Sequence, residues 1–170
     1  GSFGPPVSVV IENGLIAEMG TDVAARAGTQ VDGLGGYLVP GFWDMHMHSF
    51  QLSPQLHFPL FVANGITNVR DMMDCPEPED SLIACVGQKR SWSAAADSGK
   101  LAAPRFTEIA SFYFERPDMT AEEAKDRARI YARRGVDSFK TYNRLSPEAY
   151  AALAQSATEH DLRLVGHLPQ

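Results

Sequence analysis

From residue 42 onward, short runs rich in Val, Ile, Phe and Thr alternate with longer stretches of helical character. This alternation constrains the fold more than any other feature. Strands are read at 42–48, 66–71, 105–111, 136–142 and 163–167, with helices at 54–64, 80–100, 121–134 and 147–160 between them. That β-α-β-α-β-α-β-α-β order predicts an α/β fold of about five parallel strands covered by helices. The punctuation agrees. Thr120 and Glu123 form a capping box, in which the threonine oxygen accepts a free amide while the glutamate reaches back. Arg133-Arg134-Gly135 closes the same helix, with cations on its negative end and a glycine able to turn left-handed. Ser146-Pro147 starts the next helix with an N-cap and a first-turn proline. Its stripe of Tyr150, Leu153, Ala154 and Ala157 is predicted to face the sheet.

The residues before 42 follow a different pattern. A strand at 7–11, the turn Glu12-Asn13-Gly14 and a strand at 15–19 read as a β-hairpin. Gly33-Leu34-Gly35-Gly36 then leads through Tyr37-Leu38-Val39 to Pro40-Gly41. The chain is therefore divided into a small β-rich portion, 1–39, too short to close a core alone, and an α/β portion, 40–170. Gly1-Ser2 reads as a cloning remnant and stays outside the fold argument.

Composition removes several function classes. A formal charge of −6 argues against general binding to nucleic acid or an anionic membrane, which needs a basic patch. The longest apolar runs are about as short as residues 60–63, far below the ~18 residues of a membrane span. No charged-then-apolar leader opens the sequence. The expectation is a cytoplasmic protein, with room for an upstream leader already removed. Cys75 and Cys85 are too few for a disulfide scaffold, have no histidine beside them, and read as reduced thiols in a loop and a helix.

The chemistry concentrates in three places. In Asp44-Met45-His46-Met47-His48, strand alternation puts both imidazoles on one side and the methionines on the other. Two imidazoles one pleat apart can reach a single divalent ion, although the spacing alone also arises by chance. In Ser138-Phe139-Lys140-Thr141-Tyr142, a lysine sits inside a strand flanked by helices, where a buried amine loses its proton more easily. The neutral amine can take up carbon dioxide as an anionic carbamate whose two oxygens can bridge two ions. The plainer alternative is an edge-strand lysine in water. In Val165-Gly166-His167, a histidine ends the last strand, and taken alone it reads as a packed or surface residue. Together, His46, His48, Lys140 and His167 all fall at the C-terminal ends of parallel strands, the edge where ligands and catalytic groups collect. Arg70-Asp71 either faces that site or forms a structural ion pair. Trp43, Met45 and Met47 read as packing on the helix side, and His57 and His160 as surface.

These residues carry a resemblance. Val31-Asp32, the run from Gly36 to His48, Gly65-Ile66-Thr67-Asn68-Val69-Arg70-Asp71, Gly135 to Lys140 and Gly166-His167 resemble, in order and spacing, the metal-dependent amidohydrolases. The branch they resemble is the imidazolonepropionase and prolidase-like one. The resemblance implies a (β/α)₈ TIM-type barrel bearing a small β-sandwich, of which this chain supplies only the N-terminal part, since a full barrel needs ~250 residues. It implies a divalent metal centre, usually zinc, hydrolysing an amide, peptide, lactam or ester bond of a small-molecule or dipeptide-like substrate. His46 and His48 would hold the more buried ion, Lys140 as a carboxylated lysine would bridge, and His167 would hold the second ion. The general-base aspartate would lie outside this chain. Weak or no turnover by the chain alone is expected, together with self-association or pairing with a missing C-terminal half. Two other readings stand beside it: a non-catalytic metal-binding or assembly fragment, and a plain α/β domain whose histidines are structural.

Overall fold

The computed structural model describes residues 4–23, 28–77, 79 and 82–169; Gly1-Ser2 lies outside them. The chain divides into two compact units, Gly1–Pro40 and Gly41–Gln170. In the first, β1 (Ser8–Glu12) and β2 (Leu15–Gly20) pair antiparallel. Asn13 and Gly14 both take positive φ, 53° and 76°, which is the twist a two-residue hairpin turn requires. This hairpin is the one sheet among the described residues of the unit.

The second unit alternates as the sequence predicts, with two subdivisions. Strand β3 (Phe42–Met47) is followed by two short helices, α1 (Ser53–Leu56) and α2 (Phe58–Ala63), in place of one helix over 54–64. His57 sits at their junction, its Nδ1 3.1 Å from the Ser53 hydroxyl. Strand β4 (Ile66–Asp71) then leads through a long loop to α3 (Val86–Asp97), shorter than the expected 80–100. The expected strand at 105–111 ends as β5 (Arg105–Ile109) and resumes as β6 (Phe114–Arg116). Helix α4 (Ala121–Arg134), β7 (Ser138–Leu145), α5 (Pro147–Glu159) and β8 (Arg163–Gly166) complete the unit.

All pairings in this unit's strands are parallel: β3-β4-β5 form one sheet and β6-β7-β8 another. A single parallel bridge, Ala110 to Ser138, links β5's end to β7. Ala110 to Ser138, Phe114 to Thr141 and Arg116 to Leu145 run along the same edge of β7. β5 and β6 are thus one strand interrupted at residues 111–113. Ser111 bridges the break, because its hydroxyl accepts the amide of Lys140 at 3.0 Å. Among the described residues the strand set is open, with β3 pairing only β4 and β8 pairing only β7.

Caps fall where the residue types place them. Thr120 and Glu123 close both halves of the capping box, Gly135 ends α4 left-handed at φ 86°, and the Ser146 hydroxyl accepts the Ala149 amide. Apolar residues pack on the helix side of the strands. Met47, Val69, Phe106 and Ile109 meet Phe58 and Trp92, while Phe139 meets Tyr131 and Leu153. The α5 stripe centres on Ala149, Ala152, Leu153 and Ala157, about one position round from the predicted one, with Tyr150 at its margin. Trp43 and Met45 are more than half exposed, contrary to the packing expected of them, because β3 is an edge strand.

The cysteines also depart from expectation. Cys75 and Cys85 form a disulfide, with Cα atoms 4.7 Å apart, and Cys85 is the N-cap of α3, not part of the helix. The loop after β4 doubles back onto the start of α3, a closure that ten residues of separation do not reveal. No described helix is long and apolar enough to cross a membrane.

Candidate metal centre

Strand alternation decides which side chains share the face away from the helices. With Met47 in the core, His46 and His48 point the other way; with Phe139 in the core, so does Lys140. A cleft on this face is lined by His46, His48, Tyr113, Lys140, Tyr142 and His167. The structure therefore brings the four sequence-selected residues around one opening. His46 and His167 are exposed, His48 is half-buried and Lys140 is buried.

The two imidazoles converge. Their Nε2 atoms lie 3.3 Å apart. Metal–nitrogen bonds of about 2.0–2.1 Å at a tetrahedral angle place two ligand nitrogens about 3.3–3.4 Å from each other. The pair fits one small divalent ion without rearrangement. Among the described residues His48 Nδ1 is buried without a hydrogen-bond partner, and the ring's polar contact is on the side facing His46. Burial holds both imidazoles below their ordinary pKa, and the neighbouring Lys140 pushes the same way. Neutral imidazole is the form that binds metal.

Lys140 is 2% exposed and its amine is held below the ordinary lysine value. Burial is the main cause; Asp71 opposes the shift and Arg70 adds to it. The backbone of Lys140 is fixed by Ser111 on one side and by its register with Val165 on the other. His167 follows β8 directly. Its amide donates to the Thr141 carbonyl at 3.1 Å, and its own carbonyl accepts the Thr141 hydroxyl at 2.7 Å. Gly166 permits this closeness: at φ 118°, a Cβ there would stand 2.2 Å from the Thr141 carbonyl oxygen.

Sequence reasoning passed over the aromatic wall of the cleft. Tyr113 stacks on Phe112 at 4.2 Å and lies 5.2 Å from Tyr142, which lies 4.4 Å from His167. Tyr142 was visible two residues after Lys140; Tyr113 lies in the strand break, which no periodicity marks. Arg70 and Asp71 separate onto opposite faces. Arg70 pairs with Glu108 at 3.3 Å on the cleft side, and Glu108 also accepts from Arg163 and Ser138. Asp71 turns to the helix side, where Lys89 of α3 meets it at 2.9 Å. Cys75, Glu79 and Cys85 also place ligand-type atoms within 4.8 Å of one another. With the two sulfurs bonded to each other, that group offers no thiolate.

Comparison with known proteins bears on the fold. No protein-family model matches the chain. Dihydroorotases of Trichlorobacter lovleyi and Pelobacter propionicus are 49% and 46% identical to it over 43 residues, a quarter of this chain and a tenth of theirs. Among solved structures, a bottromycin amidohydrolase superposes with a TM-score of 0.68 over 98% of this chain at 18% identity. A Bifidobacterium longum structure described as a candidate prolidase does so with 0.55 over 75%, also at 18% identity. The matched chain spans 35% of each of these structures. The fold is one that this chain shares with about a third of each of these two larger structures.

Proposed function

We propose, on the premise of that amidohydrolase-like fold, that the chain supplies one half of a metal-dependent hydrolase centre for a carbon–nitrogen or ester bond. The observation that carries this reading is the 3.3 Å approach of His46 and His48 Nε2 in a cleft shared with Lys140 and His167. His46 and His48 would hold one ion, most simply zinc, and His167 would contribute to a second. A divalent ion held there supplies Lewis acidity and lowers the pKa of bound water to about 7. Lys140, whose amine burial holds below its ordinary value, would attack carbon dioxide in its neutral form; a nitrogen–carbon bond forms as one carbon–oxygen π bond opens and a proton leaves, giving a carbamate whose single negative charge is shared by two oxygens. Tyr113 and Tyr142 border the same cleft and would contact a small-molecule or dipeptide-like substrate.

On this reading His46, His48, Lys140 and His167 supply ligands and no general base, and the chain alone turns over weakly or not at all. A second reading, a metal-binding or assembly fragment without catalysis, draws support from the open strand set and the exposed Phe42, Trp43 and Met45 on edge strand β3. Such an edge is a template for a second copy or a C-terminal half. The disulfide removes the ground on which a reduced, cytoplasmic setting was expected, since such bonds persist in oxidising compartments. The test is to supply carbon-13-labelled bicarbonate with zinc and record the carbonyl region by NMR. A carbamate signal absent from Lys140→Ala supports the reading; identical spectra for the two chains refute the bridging role.

A further inference from the structure

The segment that carries the two histidines is poorly held by its own sheet. Among the described residues β3 has one neighbour, β4, and its pairing skips from Asp44 opposite Val69 to Met47 opposite Asp71. His46 therefore lies in a gap of the ladder, and its amide turns back to Asp44 Oδ1 at 2.9 Å. Beyond the gap, the Met72 amide donates to the Met47 carbonyl at 2.9 Å. The next tie, directly after His48, is a side chain. Asp71 Oδ2 accepts the Ser49 amide at 3.1 Å and also the Ser49 hydroxyl.

Asp71 has no exposure to solvent, and its carboxylate is fully engaged. Oδ1 accepts the Met73 amide at 3.0 Å. Oδ2, besides Ser49, meets Lys89 Nζ at 2.9 Å, and Lys89 is equally buried and donates to the Met73 carbonyl. A buried ion pair contributes little net stability against an apolar pair, but it fixes geometry wherever both partners are hydrogen-bonded. Here it joins three pieces of chain: the end of β3, the exit of β4 and the first turn of α3.

We infer that Asp71, clamped by Lys89, is a positioning residue that sets the peptide following His48 and hence the direction of the His48 ring. It lies on the helix side, outside the residues that line the cleft, and acts on His48 only through the Ser49 peptide. The inference rests on the metal-centre reading for its consequence, not for its geometry. Partners that orient metal ligands from behind change affinity by about 10–100-fold when replaced.

The test uses the metal-free chain and then cobalt(II) alone. Nitrogen-15 spectra of the histidine rings are recorded for wild type, Asp71→Asn, Ser49→Ala and Asp137→Asn. The last of these weakens the Asp137 pair to Arg90, next to Lys89 on α3, and its acceptance of the Ile109 amide without touching Asp71, and so controls for disturbance of α3 alone. The expected result is a moved His48 signal in Asp71→Asn, a smaller movement in Ser49→Ala, and fixed His57 and His160 signals in every chain. Cobalt affinity should fall about 10–100-fold in Asp71→Asn, with Asp137→Asn unchanged. Should Asp71→Asn fail to fold by circular dichroism, Ser49→Ala decides. A His48 signal unmoved in the folded variants overturns the inference. A wild-type chain that takes up no cobalt refutes the metal centre, and the ring signals still decide the positioning.

Discussion

Opening the Cys75–Cys85 bond is expected to cost the fold about 2.7 kcal/mol. The bond closes a loop of ten-residue separation. The chain-entropy relation for that length gives about 9 cal/mol/K, hence about 2.7 kcal/mol at 25 °C. The folded loop keeps its other anchors after reduction. Arg134 donates to the Cys75 carbonyl at 2.9 Å and pairs with Glu77 at 3.1 Å, and Asp74 accepts the Val86 amide at 2.7 Å. The cost therefore falls on the unfolded chain, which gains freedom, more than on native contacts. Urea unfolding followed by circular dichroism, with and without reductant, reads it directly. At the slopes of about 1–3 kcal/mol/M usual for small proteins in urea, the midpoint should drop by about 1–3 M. A Cys75→Ala, Cys85→Ala chain should match the reduced protein. Superimposable curves, or two free thiols titrating in the unreduced chain, would refute the reasoning and favour the reduced thiols that the sequence predicts.

Gly166→Ala should separate β8 from β7, because its Cβ would stand 2.2 Å from the Thr141 carbonyl oxygen. Thermal unfolding should show the loss, and metal retention should fall with it as His167 is displaced; a chain of unchanged stability would mean the strand ends have slack. At the other end of the unit, Glu123 titrates at about 2, held down first by the Thr120 amide and then by Arg116. Its folded pKa is depressed, so its contribution to α4 is present above the ordinary carboxylate value and is lost as pH falls toward 2. Side-chain carboxyl shifts across that range should show this, and an ordinary titration near 4.5 would contradict it. Thr120→Ala should remove about 1 kcal/mol with the cap, seen in the same melts.

Where the sequence was most legible, a local rule and the tertiary contact asked for the same residue. Thr120 with Glu123, Gly135 and Ser146 each do in the fold what their residue types do in isolation. The histidine pair and Lys140 were legible for a related reason: on a strand, alternation alone assigns a side. Features that depend on distant chain were not. The break at residues 111–113 exists because a serine hydroxyl replaces a ladder acceptor for Lys140, and serine in a strand carries no such mark. The disulfide needs the β4 exit to meet the α3 start. Lys89 looks like any helical lysine until its partner, Asp71, arrives from β4. Alternation assigns Trp43 and Met45 to the helix side, yet burial also depends on how many neighbours the strand has, and among the described residues β3 has one.

The central claim is that His46 and His48, with Lys140 and His167 around the same cleft, bind a divalent ion. Elemental analysis of the purified chain, beside a His46→Ala, His48→Ala chain prepared identically after equilibration with zinc and dialysis, tests it most directly. The account predicts near-stoichiometric zinc in the first and none in the second, with both chains folded by circular dichroism. Zinc absent from both, or retained equally by both, would contradict it.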